Sequence, residues 1–141
     1  MSNDPIFSAL SISGSGLTAE QTRMKVVAEN IANANTTRTT EGGPYKRRQV
    51  VFSSVLQNEI DGTRGPAGVR VDKIVPSNEP PIVRFDPDHP DANDAGYVSM
   101  PNISVPNEMI DMIAASRSYE ANLTAIRNFK SMVNKALSIM R

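Results

Sequence analysis

Apolar residues recur in alternating steps of three and four over the last 35 positions of the chain. One series is Met112, Tyr119, Ile126, Val133 and Met140, and its companion is Met109, Ser116, Leu123, Lys130 and Leu137. Two interleaved heptads with polar breaks at Ser116 and Lys130 predict a helix from about Asn107 to Arg141 that presents a coiled-coil seam. At 1.5 Å per residue it would span about 50 Å. Asn107 is the expected N-cap after Pro106, with Glu108 and Asp111 in the first turn and Lys135 and Arg141 suited to the far end.

A second seam runs through Ile6, Leu10, Leu17, Met24, Val27 and Ile31, four of them spaced by seven. Asp4 followed by Pro5 is a helix start. Gly14 and Gly16 each cost roughly 1 kcal/mol inside a helix relative to Ala. Thr18 with Gln21 looks like a capping box. The pattern predicts a long helix with a soft spot near these glycines.

Between the helices the pattern changes. Nine of the ten prolines lie between Pro44 and Pro106, and all eight glycines lie between Gly14 and Gly96. Short extended pieces are predicted at 45–52, 69–75, 82–85 and 97–100, with a mobile loop at 57–68. The expected fold is mainly α with a small β-rich insertion. Its terminal parts, 1–35 and 107–141, pair as one discontinuous coiled-coil domain, and 36–106 forms the insertion. Seams from opposite ends of one chain can pair with each other and with neighbouring chains, since an isolated helix is marginal in water.

Composition sharpens this. Apolar residues make up 39 % of the chain, there is no Trp, and Tyr and Phe number three and four. The internal core should be thin, with helix surface left for other chains. The net charge of zero gives no argument for nucleic acid. The charge is uneven, however. Residues 51–106 carry four basic against eight acidic side chains, while 107–141 carry five against three. The lack of cysteine excludes disulfides and thiolate metal sites. The first ten residues lack the basic and long apolar regions of a cleaved secretory signal, and no apolar run reaches the roughly 18–20 residues of a membrane span.

One motif stands apart. AENIANANTTRT, residues 28–39, places Asn30, Asn33 and Asn35 among small alanines where a helix should be ending. Asparagine is a poor interior helix residue because its amide competes for backbone groups. Together with the two-helix pattern, this motif resembles the axial proteins of the bacterial flagellum, the rod and hook family. The stretch DPDHPDANDAGYVSMPNISVPNEMIDMIAASRSYEANLTAIRNFKSM, residues 86–132, resembles the C-terminal half of the short, proximal-rod members, and PYKRRQVVF at 44–52 adds to the likeness. The resemblance implies a structural subunit of the basal-body rod, exported unfolded by the flagellar type III apparatus without a cleaved signal. The partners it implies are other copies of the chain, other rod proteins, and membrane-ring, export-gate and hook-basal-body proteins.

On that reading the asparagines have a physical role. Asn30 and Asn33 share a helix face, and the alanines keep it slim, so close-packed helices could bond amide to amide or amide to backbone and fix register. Asn35 could end the helix in a left-handed conformation. The plainer alternative is a solvated, capped helix end. The expected assembly residues are Leu10, Leu17, Met24, Val27, Asn30, Ile31, Asn33, Asn35, Met109, Met112, Arg117, Tyr119, Leu123, Ile126, Val133 and Leu137, with Arg117 and Tyr119 making polar contacts between helices.

Other signals are weak. The turn DPDHPDAND, 86–94, holds four aspartates and the single histidine, but prolines stiffen it and the EF-hand spacing is absent. A solvated acidic turn fits better than a metal site. KRR at 46–48 lacks interleaved aromatics and should face solvent or an acidic neighbour. GSG at 14–16 lacks the GK[ST] of a phosphate loop. No nucleophile–base pair stands out, so neither an enzyme, a cofactor nor a small-molecule substrate is expected. The alternatives left open are another axial rod subunit or adaptor, and a non-flagellar helical binding module.

Overall fold

The computed structural model describes residues 5–58 and 64–139. Asp4, Met140, Arg141 and residues 59–63 of the expected mobile loop lie outside them, as does the side chain of Ile6. Two helices and two small antiparallel sheets make up the fold: helix α1, Pro5–Ala32; strands β1, Arg48–Asn58, and β2, Arg64–Pro76; strands β3, Ile82–Phe85, and β4, Tyr97–Met100; and helix α2, Val105–Ile139. The architecture is mainly helical with two small sheets between, but only β3 and β4 are short as expected, since β1 and β2 run to 11 and 13 residues. Among the described residues no helix is long and apolar enough to cross a membrane.

Helix α1 runs without a break through Gly14 and Gly16, as the expected long helix, and does not restart at Thr18. Gly16 is there because α2 passes against it: a Cβ at this position would stand 2.9 Å from the Asn122 amide nitrogen. Gly14 faces open space and has no such reason. Helix α2 begins two residues earlier than its sequence suggests. Ser104 rather than Asn107 stands before the first turn, and its carbonyl accepts the Glu108 amide at 3.0 Å. Pro106 thus sits inside the first turn, where a missing N–H costs nothing.

The helices pack antiparallel. Gly16 lies beside Asn122, Arg23 beside Asp111 and Asn30 beside Glu108. Small and polar residues form the contact line. On α1 it runs through Gly16, Ala19, Arg23, Val26 and Asn30, and on α2 through Glu108, Ala115 and Asn122. Ala115 is fully buried, while Met109 and Leu137 of the expected companion series are 54 % and 60 % exposed. That series lies on the flank of the helix contact rather than in it.

Strands β1 and β2 form one long hairpin, with register shifts at Val51/Phe52 and Val55/Leu56. The expected loop at 57–68 is therefore shorter than its glycines suggest, because the strands run to Asn58 and resume at Arg64. The hairpin lies on α1, where the Val69 amide donates to Ser15 Oγ at 3.0 Å. Helix α1 is thus held between α2 and the hairpin. Strands β3 and β4 pair at the positions expected from sequence. Val98 turns inward and is buried, while Val83, Phe85 and Tyr97 alternate onto the outer face.

Candidate functional site

The largest buried polar groups are Asn30 and Glu108, each 1 % exposed. They meet where α1, α2 and the start of β1 converge. The Asn30 amide nitrogen donates to the Arg48 carbonyl and to Glu108 Oε2, both at 2.9 Å. Its carbonyl oxygen accepts the Arg48 amide at 2.9 Å and the Tyr45 hydroxyl at 3.2 Å. Two donors and two acceptors are all that an asparagine side chain offers, and all are used. The amide pairs with both main-chain groups of Arg48 as a neighbouring strand would, so it closes the edge of β1 at that point.

The other Glu108 oxygen accepts Arg47 Nε at 2.6 Å. Arg47 continues to Asp111 at 3.5 Å, and Asp111 pairs with Arg23 of α1 at 3.3 Å. Two carboxylates one turn apart on α2 therefore bind one arginine from just before β1 and one from α1. Glu108 also stands in the first turn of its helix, where the backbone dipole favours an anion. Above this cluster Arg48 lies over the Tyr45 ring, 5.9 Å from its centroid, and reaches Glu29 at 3.8 Å. Burial raises the Tyr45 pKa. Arg48 works against that rise, while Glu29 and Glu108 add to it. The phenol stays neutral and keeps its proton on Asn30.

The remaining asparagines divide the labour. Asn33 donates to the Glu29 carbonyl at 2.9 Å and accepts the Thr36 hydroxyl at 3.1 Å, while its own carbonyl accepts the Thr36 amide at 3.0 Å. It closes the helix. Asn35 is exposed and does not adopt a left-handed conformation, since among the described residues only glycines have positive φ. Three consecutive capping bonds around Asn33 end the helix without that device.

Of the other residues named from sequence, Val27 is buried. Leu10, Leu17, Met24, Ile31, Met112, Tyr119, Leu123 and Ile126 are half-buried, and Met109, Arg117, Val133 and Leu137 are exposed. Among the described residues the polar contacts between helices come from Arg23, Asp111, Asn30 and Glu108 rather than from Arg117 and Tyr119. Of the KRR charges expected to face solvent, Lys46 and Arg48 are exposed, whereas Arg47 turns inward. Arg47 pairs with Glu108 and Asp111, and Arg48 with Glu29. An apolar search misses this cluster because its members are charged or polar. A search for heptad-spaced polar and small residues (Gly16, Arg23, Asn30 and Glu108, Ala115, Asn122) would have found it.

The site offers no chemistry of bond making. It is a clamp that fixes two helices and a strand in one orientation. Among the described residues no group of three or more His, Cys, Asp or Glu is placed to hold a metal ion. In the acidic turn, Asp91 accepts the Thr37 hydroxyl at 2.7 Å and lies 3.8 Å from Arg38, and His89 Nδ1 accepts the Asp91 amide at 3.0 Å.

Similarity to known proteins falls on the same elements. A family described as "Flagella basal body rod protein" matches residues 10–38, most of α1 with the asparagine cap. A second, "Flagellar basal body rod FlgEFG protein C-terminal", matches residues 94–139, which hold β4 and α2. The flagellar basal-body rod protein FlgC of Borreliella burgdorferi is 40 % identical over 151 residues, covering 96 % of this chain and 98 % of that protein. FlgC of Bacillus subtilis is 41 % identical over 145 residues, covering 94 % and 97 %. FlgC of Salmonella typhimurium is 39 % identical over 130 residues, covering 91 % and 92 %. With agreement at this level along nearly its whole length, the chain belongs to the FlgC family of flagellar basal-body rod proteins.

Proposed function

We propose that the chain polymerises through its terminal helices, with copies of itself and with other rod proteins, into the proximal part of the drive shaft that crosses the periplasm and transmits torque. Its family is one of structural rod proteins, so the chain is a structural rod component and not an enzyme. Export without a cleaved signal, and contacts with membrane-ring, export-gate and hook-basal-body proteins at the ends of the rod, belong to the same proposal.

The observation that carries it is the uncovered flank of α2. Met109, Ile110 and Ile113 are 54 %, 65 % and 52 % exposed, and their spacing places them on adjoining turns of one side. Contiguous apolar surface of this kind marks a protein interface. Side-by-side packing would bury it at roughly 25 cal/mol per Å². A contact between unlike patches that does not close grows into a helical array. The half-buried Leu10, Leu17, Met24 and Ile31 of α1, with the half-buried Met112, Leu123 and Ile126 and the exposed Val133 and Leu137 of α2, would add further apolar surface to the assembly. The clamp at Asn30 sets the angle at which each subunit presents it. At this helix end the half-buried Asn33 and the exposed Asn35 would set register against neighbours.

The functional test is an in-frame deletion with electron microscopy of purified basal bodies. Rings without rod or hook, restored by complementation, are expected. Complete flagella in the deletion strain would refute the rod reading. Full-length agreement with FlgC relatives favours this position over another axial subunit.

A further inference from the structure

Val83, Phe85 and Tyr97, on the outer face of β3–β4, are 62 %, 63 % and 45 % exposed. Phe85 and Tyr97 meet edge to face with centroids 5.2 Å apart, and a Cβ at Gly96 would stand 2.9 Å from the Phe85 ring. Glycine thus lets the two rings form one apolar platform. Beside it the turn 86–94 carries four aspartates and no Lys or Arg. Asp91 is spent on Thr37 and Arg38, whereas Asp88 and Asp94 are exposed and make no ion pair among the described residues.

The first half of α2 carries the complement. Its contact with α1 is fixed there by Glu108, Asp111 and the fully buried Ala115. Ile113 and Arg117 stand two residues to either side of Ala115, which turns them about 200° away from it, and Ile110 lies one turn before Ile113. The three form one stripe on the side of α2 opposite α1. Ile110 and Ile113 belong to the exposed flank described above, and Arg117 is exposed with no ion pair among the described residues.

Both surfaces lie at the same end of the molecule. Strand β4 ends at Met100 and α2 begins at Val105, and Ile110 and Ile113 follow within about 12 Å along the helix axis. Each is open in the single chain, so they do not cover one another there. Two copies set side by side with their helices parallel bring the platform of one level with the stripe of the other.

We propose that the stripe of Ile110, Ile113 and Arg117 packs laterally on the β3–β4 platform of a neighbouring copy of this chain, with Arg117 reaching the aromatic rings and the acidic turn. The occupant is a second copy because apolar meets apolar, an unpaired arginine meets unpaired aspartates, and the two surfaces stand at one level. The contact joins unlike patches, so each copy uses its platform toward one neighbour and its stripe toward the other. It rests on the rod reading and names what covers the flank of α2.

A charge exchange tests it. Arg117→Glu, and Asp88→Lys with Asp94→Lys, should each lower the yield of rods in purified basal bodies by about tenfold, since like charges meet. All three changes together should restore it. Silence of either variant, or a combination no better than its parts, would overturn the contact. Cross-linking in this cysteine-free chain gives a second readout. Val83→Cys and Ile113→Cys, produced as separate single variants in one deletion strain, should form a covalent dimer when basal bodies holding both are oxidised, and no dimer when either is present alone. Monomer in the mixture, or dimer from one variant alone, would also overturn it. The unmodified gene in the same strain is the control. If flagella are complete without the gene, the rod reading fails and the contact with it. If rods depend on the gene and Ile113→Cys is shielded in them, yet no link to Val83→Cys forms, the contact fails by itself.

Discussion

Replacing Asn30 by leucine isolates what the buried amide contributes. The substitution keeps the γ-branching and the number of heavy atoms and removes four hydrogen bonds at once. The Tyr45 hydroxyl is only partly buried and can turn to water. The Arg48 N–H and C=O lose their partner at the edge of β1, and Glu108 keeps only the bond from Arg47. Each buried group left unpaired costs about 1–3 kcal/mol, and the leucine recovers part of this by burying apolar surface. The net loss should be about 2–4 kcal/mol. With a urea slope of about 2 kcal/mol per M, the midpoint falls by about 1–2 M. Asn33→Leu is the control. It removes a bond to a carbonyl at the end of α1 and one to the Thr36 hydroxyl, in a half-exposed position. Its cost should stay below about 1 kcal/mol. Urea unfolding of the full chain, followed by circular dichroism at 222 nm, separates the two. Equal losses, or a larger loss for Asn33→Leu, would refute the assignment of Asn30 as the clamp.

Three further outcomes follow from the same geometry. Truncating Arg47 to Ala should cost about 3–5 kcal/mol, because it leaves the buried Glu108 with one neutral partner; a double-mutant cycle with Glu108→Gln should show strong coupling by urea unfolding. Gly14→Ala should stabilise α1 by up to about 1 kcal/mol, while Gly16→Val, which collides with Asn122, should destabilise the helix pair; thermal unfolding gives both signs. The Tyr45 pKa lies above the ordinary 10.0 in the folded chain. Its contribution to stability is therefore whole below pH 10 and is lost as pH rises through the raised value, and Tyr45→Phe should flatten that part of the stability profile.

Both helices were legible because apolar heptads register on any periodicity search, and β3 and β4 because prolines and glycines bracket them. The hairpin ends were not. Glycines at 62, 65 and 68 read as one loop, yet Gly65 and Gly68 lie within β2. Gly68 adopts φ +138° where the strand passes Ser15. The face of each helix was the harder problem. The α2 stripe is wide enough that Met109 and Leu123 look as good as Met112 and Ile126. What decides the contact is the need of a buried Glu108 for Arg47 and Asn30, and the room that Gly16 leaves for Asn122. Those are pairings across 78 and 106 residues of sequence, which no local pattern encodes. The asparagine motif was singled out for the right region, but Asn35 has no left-handed turn to make, and Asn30 bonds within its own chain.

The central claim is that the open flank of α2 is covered when the chain enters the rod. Because the chain has no cysteine of its own, Ile110→Cys and Ile113→Cys each supply a single reporter, with Glu41→Cys on an exposed turn as control. Maleimide labelling should be fast at all three positions in the free subunit. In purified basal bodies it should be suppressed at Ile110→Cys and Ile113→Cys and remain fast at Glu41→Cys. Equal labelling of the two flank positions in free subunit and rod would contradict the account.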